Sequence, residues 1–178
     1  MNYKYFFSRI RNSVFGGRLT DLQVDGIQQI IEYRDEVWPK MSDEELAYLL
    51  ATVTHETAFR MAPVREMGGE KYLRTKKYYP WVGEGLVQVT WETNAKKFGA
   101  QKPGDLMTWP IALKAAFEGM IYGIFTGKKL SDYITKSHID YVGARRIING
   151  TDRAKLIAGY AHSYLDAFKQ AKEKPLAA

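Results

Sequence analysis

The chain has 178 residues, 46% of them hydrophobic and 26% charged. That is enough for one folded unit with a sizeable core, and it excludes a wholly disordered chain. With no cysteine, a disulfide framework, thiolate zinc sites and a cysteine nucleophile are excluded. The net charge of +6 favours polyanionic partners: nucleic acid, an anionic membrane or the anionic wall of a bacterium.

The N-terminal stretch, Met1 to Gly17, carries Tyr3, Tyr5, Phe6 and Phe7 but is interrupted by Ser8-Arg9 and Arg11. This apolar run is too short for a signal sequence or a membrane span and is predicted to be an amphipathic helix. Thr20 or Asp21 caps a second helix with Val24, Ile27, Ile30 and Ile31 on one face. Ser42-Asp43-Glu44-Glu45 is a capping box before Leu46, Leu49, Leu50 and Val53. That helix is predicted to run to about Thr57, with His55 and Glu56 in its last turn. Residues 59–89 hold Pro63, Gly68, Gly69, Pro80, Gly83 and Gly85 among aromatics. They predict a long, ordered, irregular segment with at most a small β-hairpin, of the kind that carries function.

Thr90 is predicted to cap a short helix ending at Gly99, and Pro110 suits the first turn of an apolar helix reaching Phe125. Ser131 and Ser137 are assigned as caps of two shorter helices. Thr151 or Asp152 starts the last helix, with Leu156, Ile157, Tyr160, Ala161, Tyr164, Leu165 and Phe168 as its buried stripe. Lys174 to Ala178 reads as a frayed tail. The predicted fold class is predominantly α, without internal repeats or a linker that would divide domains.

Among the chemistry-bearing residues, His55-Glu56 resembles the start of a zinc-protease helix. That motif needs a second histidine at position 59, where Phe59 stands, so no metal is assigned. Glu56 at a helix C-terminus faces the negative end of the dipole, a field that suits a general acid. Glu66 follows ten residues later in the irregular segment, where a loop can bring it opposite Glu56. Glycoside hydrolysis needs such a carboxyl pair. Glu70 is a rival for the second role, and spacing alone does not choose. Taken singly, each reads more simply as a surface charge.

Gly83-Glu84-Gly85-Leu86-Val87-Gln88-Val89-Thr90-Trp91 lacks the third glycine of a dinucleotide fingerprint. Gln88 and Thr90 alternate with Val89 and so face one side together, while Leu86, Val87 and Val89 are predicted buried. Tyr78, Tyr79, Trp81 and Trp91 suit either core packing or stacking on sugar rings. His138 and His162 are isolated. The pairs Lys76-Lys77, Lys96-Lys97 and Lys128-Lys129 are too short for a nucleic-acid patch, and Arg145-Arg146 reads as a solvated face.

Three stretches together resemble family 19 glycoside hydrolases, the chitinase and phage endolysin family. They are Ala51-Thr52-Val53-Thr54-His55-Glu56-Thr57, Gly83 to Asn94 preceded by Tyr78-Tyr79, and Ile147-Ile148-Asn149-Gly150. The resemblance spans about residues 45 to 153. It implies a two-lobed, lysozyme-like fold with a substrate cleft, residues 1–178 forming a single catalytic domain with no separate wall-binding domain. It also implies an inverting mechanism without a cofactor. Glu56 matches the general acid, Glu66 the general base of phage-type members, and Thr90 the hydroxyl that helps hold the attacking water. Gln88, Asn94 and Asn149 match cleft residues that bind sugar. Tyr79 and Trp91 flank the cleft motif, and Lys114 and Arg153 match basic cleft positions.

The chain departs from the family where Glu84 replaces the usual arginine between the two glycines, adding a third carboxylate near the site. Ala58-Phe59 replaces the glycines that often follow His-Glu-Thr. The disulfides and long loops of plant chitinases are absent, which shifts the reading from chitinase to a phage-type muramidase. The expected partner is the peptidoglycan glycan strand, with no nucleic acid, no stable membrane insertion and a monomeric enzyme. Without a signal peptide, such an enzyme is made in the host cytoplasm and reaches the wall through a pore made by a holin-type protein. The alternatives are a chitinase on the same fold and a non-catalytic wall-binding or virion protein.

Overall fold

A computed structural model describes residues 1–174. Its framework is helical: α1 (Tyr3–Ser13), α2 (Asp21–Val37), α3 (Asp43–Glu56), α4 (Glu70–Leu73), α5 (Glu92–Lys97), α6 (Trp109–Tyr122) and α7 (Ala154–Glu173). Two two-residue strands, β1 (Val64–Arg65) and β2 (Glu84–Gly85), pair antiparallel, with Val64 opposite Gly85 and Arg65 opposite Glu84. The fold is therefore predominantly α with one small β ribbon, as the helical periodicities predict. No described helix is long and apolar enough to cross a membrane.

The core is built around α3. Ser42 caps it as the sequence predicts: its Oγ accepts from the Glu45 N–H at 3.2 Å and Glu45 Oε2 accepts from the Ser42 N–H at 2.9 Å. Such a cap is worth about 1 kcal/mol. From Leu46 to Thr54 every residue is buried, the pattern of a helix enclosed on all sides. α7 lies along α3, α1 packs on α7, and α2 and α6 also touch α3. The two buried threonines satisfy their hydroxyls within the helix, Thr52 on the Tyr48 carbonyl and Thr54 on the Leu50 carbonyl. The chain thus starts α3 at a polar cap, threads it through the core, and delivers Glu56 at its far end.

Several boundaries differ from the predictions. α6 stops at Tyr122 rather than Phe125. Gly123 adopts φ 71° and its N–H closes the helix on the Gly119 carbonyl, the left-handed stop that glycine permits. α7 starts at Ala154 without a side-chain cap from Thr151 or Asp152; Arg153, at φ 56°, stands at the boundary. Leu156 is 44% exposed and does not belong to the buried stripe. Thr90 caps nothing: its hydroxyl donates to the Gln88 carbonyl, and α5 follows Trp91. Ser131 lies inside a 3₁₀ turn (Leu130–Asp132), where Asp132 Oδ2 accepts from the Lys129 N–H at 3.0 Å. Ser137 sits in the exposed loop between the bridged Ile134 and Ile139. Of the predicted tail, Lys174 ends α7 with its ammonium 5.7 Å from the centre of the Tyr5 ring, and residues 175–178 lie outside the described residues.

Candidate active site

Glu56 is the last residue of α3, where the helix leaves the core. Its Oε1 accepts from Arg145 Nη1 at 2.7 Å, and the two side chains are 15% and 2% exposed. Arg145 comes from the 3₁₀ turn Gly143–Ile147, and its Nε donates to the Asp152 carbonyl at 2.8 Å. A guanidinium taken out of water needs such partners, because an unpaired buried charge is costly. Arg145 is therefore not on a solvated face, as its sequence context suggested, but is the fixed cation behind Glu56. Its positive charge opposes the negative end of the α3 dipole, so the helix-end field is not the only field acting on the carboxylate. Tyr48 lies close to the pair; burial pushes its phenol well above the ordinary range and keeps it neutral.

Glu66 is held differently. It leaves β1 with its N–H bonded to the Gly83 carbonyl at 2.6 Å. One carboxylate oxygen accepts from the Tyr78 hydroxyl at 2.7 Å and the other from the Gly83 N–H at 2.9 Å. The bond to Glu66 pushes the Tyr78 phenol up to about 12, so it stays a donor. The Tyr78 ring meets Trp91 edge to face, with centroids 5.5 Å apart. Trp91 itself is 48% exposed.

Gly83 is where the second wall converges. A Cβ placed on it would lie 3.0 Å from Gln88 Oε1, 3.4 Å from Thr90 Oγ1 and 3.5 Å from Glu66 Cβ. Gln88 donates its amide to the Val64 carbonyl at 2.9 Å and takes φ 55°. It also lines a small recess of about 30 Å³ together with Glu56, Thr57, Ala58, Arg60, Val64, Arg65 and Met67. Gln88 is thus common to both places: it lines the Glu56 recess, and its amide oxygen lies close to the Gly83 corner that holds Glu66.

The remaining predicted residues fall further out. Asn94 donates to the Thr90 carbonyl at 3.0 Å, pinning that backbone. Tyr79 gives its hydroxyl to Glu70 at 2.5 Å, and Glu70 also pairs with Arg65 and Arg74. Those donors, Tyr79 first, hold the Glu70 carboxyl below its usual range. Glu84 turns to the Gly104 N–H at 2.9 Å, and burial raises its carboxyl above the usual range. It anchors a loop and does not line the recess. Asn149 and Arg153 are exposed on either side of Asp152, whose carbonyl anchors Arg145. Lys114 is half-buried on α6. None of Tyr79, Asn94, Lys114, Asn149 and Arg153 lines the Glu56 recess.

The turn after Glu56 is strained. Ala58, Phe59 and Met61 take φ of 48°, 66° and 55°, the left-handed region that glycine enters freely and other residues at a cost of roughly 1–2 kcal/mol each. This is where the family resemblance would place glycines. Here the turn is clamped instead. Gln23 donates to the Phe59 carbonyl at 2.8 Å, and Thr57 Oγ1 accepts from the Met61 N–H at 3.1 Å. Gly26 passes so close that a Cβ on it would sit 1.8 Å from the Met61 carbonyl oxygen. The Phe59 ring is wedged between Phe15 and Tyr160.

Compared with models of known protein families and with curated proteins, the chain matches none. The functional reading therefore rests on the residues and their geometry. Sequence reasoning missed Arg145 and the role of Tyr78. The signal for Arg145 was an arginine inside the apolar run Tyr141 to Ile148, where a buried cation demands a carboxylate partner.

Proposed function

We propose that the chain is a bacteriolytic glycosidase of the family 19 type, hydrolysing β-1,4 bonds of the peptidoglycan glycan by an inverting acid/base mechanism. The observation that carries this reading is Gln88, which is shared by the Glu56 recess and the corner holding Glu66 and Thr90. Two carboxyls on separate elements, with Gln88 common to their surroundings, suit a reaction with an acid on one side of a sugar and a base on the other. In this mechanism Glu56 gives its proton to the leaving oxygen. Arg145 then stabilises the carboxylate that forms. Glu66, oriented by Tyr78 and the Gly83 N–H, takes a proton from the attacking water, which the Thr90 hydroxyl helps to position. Trp91 offers an exposed ring for a sugar face. In keeping with the phage-type resemblance, we place the enzyme in the host cytoplasm until a membrane pore releases it to the wall.

The test is release of reducing ends from purified peptidoglycan and from chitin oligomers, side by side. Release from peptidoglycan supports the reading, and release from chitin alone replaces it with a chitinase. Binding to wall fragments without release from either would leave a non-catalytic wall-binding protein.

A further inference from the structure

A groove of about 710 Å³ adjoins the Glu56 recess. The two share Ala58, Arg60, Val64 and Arg65, so one stretch of chain forms a wall of both. Beyond that wall the groove is lined by the amides of Gln23 and Gln29, by Asp25 and by the Trp109 ring.

Arg60 stands in the middle of the strained turn, flanked by Phe59 and Met61, both left-handed. Strain of this kind persists only where the surroundings impose it, and it gathers at functional sites. The clamp from Gln23, Gly26 and Thr57 therefore fixes the Arg60 backbone relative to Glu56. Its side chain is exposed, and its guanidinium has no hydrogen-bond or ion-pair partner among the described residues. Arg65 is fixed by the ribbon and pairs on its outer side with Glu70 at 3.1 Å. With Arg65 paired to Glu70, Arg60 is the groove's guanidinium without a carboxylate partner among the described residues, and Asp25 is the carboxylate in its lining. Guanidinium forks match carboxylates in geometry as well as charge. The Gln29 amide and the Trp109 indole further along suit a peptide backbone and its side chains.

A ligand that reaches both the recess and the groove must combine a sugar with an anionic extension. Peptidoglycan has that form, because acidic peptides branch from its glycan, whereas a bare N-acetylglucosamine polymer has none. Resting on the glycosidase reading for the position of the sugar, we propose that Arg60, aided by Arg65, binds a carboxylate of the branching peptide. The groove then selects peptide-bearing glycan over unsubstituted glycan.

Two measurements test this. The first is calorimetric binding of a soluble disaccharide-tetrapeptide and of the same disaccharide without peptide, to the wild type, Glu56→Gln and Arg60→Gln. The peptide is expected to tighten binding to the wild type and to Glu56→Gln by about tenfold or more, and Arg60→Gln to remove that advantage. The second is kcat/KM on intact peptidoglycan relative to glycan strands stripped of peptide, a ratio expected to fall about tenfold in Arg60→Gln. Arg65→Gln is expected to lower it less, since Glu70 already holds that side chain. Circular dichroism confirms that the variants stay folded. No peptide advantage in the wild type, or an Arg60→Gln ratio equal to that of the wild type, overturns the proposal. If no glycan is cut yet the peptide advantage depends on Arg60, the glycosidase reading has failed and the groove assignment stands.

Discussion

The two carboxylates are held by opposite means. Glu56 sits at the end of a buried helix against a buried guanidinium, so its position is tied to the core. Glu66 sits in the irregular segment and is oriented by a phenol and a backbone N–H, both neutral donors. A charged partner stabilises the ionised form of a carboxylate, which in the proposed mechanism is the form left after proton donation. Neutral donors orient a carboxylate without neutralising its charge. The same side chain is thus given two environments, and the proposed acid and base roles can be tested against that difference.

The largest expected effect falls on the buried wall. Glu56→Gln is expected to lower turnover on peptidoglycan by about 10²–10⁴-fold, the range for losing general acid catalysis. Arg145→Met strips Glu56 of its partner inside the protein and is expected to cost about 3–5 kcal/mol in urea denaturation. A cost near zero would mean that the pair is not tied to the core, and the contrast between the walls would collapse. Tyr78→Phe removes one neutral donor from a partly exposed carboxylate. It is expected to lower kcat several-fold while changing stability by about 1 kcal/mol or less. An effect on stability as large as that of Arg145→Met would erase the distinction.

Two smaller effects sharpen the picture around the site. Burial raises the Glu84 carboxyl, so its ionised form is disfavoured in the folded state. Its penalty is absent at low pH, develops as pH rises from the unfolded value, about 4.3, through the higher folded value, and is complete above it. Glu84→Gln is therefore expected to raise Tm at pH 7, with the gain shrinking as pH falls through the folded value and lost below about 4. A gain that persists at low pH would point to packing instead of charge. Ala58→Gly relieves one left-handed residue on the exposed side of the strained turn and is expected to stabilise by about 1 kcal/mol. If it destabilises, the turn is not strained as its φ values indicate.

Much of the framework was legible in the sequence because it obeys local rules. The Ser42–Glu45 cap, the apolar spacing along α3 and the position of Glu56 in its last turn all follow from helix periodicity. The Thr20 cap of α2 does too, its Oγ1 accepting from the Gln23 N–H at 3.2 Å. The site was legible only in part because its second wall is built by long-range contacts. Nothing in the order of residues says that Tyr78 reaches back to Glu66, that Glu84 turns away to Gly104, or that Arg145 crosses 89 positions to meet Glu56. The boundary errors have a similar origin. Thr90 and Thr151 looked like caps by residue type, but left-handed Trp91 and Arg153 stand at those helix starts.

The most direct test of the central claim is proton NMR of the anomeric signals while the wild-type protein is incubated with peptidoglycan strands, with Glu56→Gln as control. An acid and a base acting on opposite faces of the sugar are expected to release the α-anomer first, with no signal from the variant. Initial release of the β-anomer would mean retention through a covalent intermediate and would contradict the roles assigned to Glu56 and Glu66.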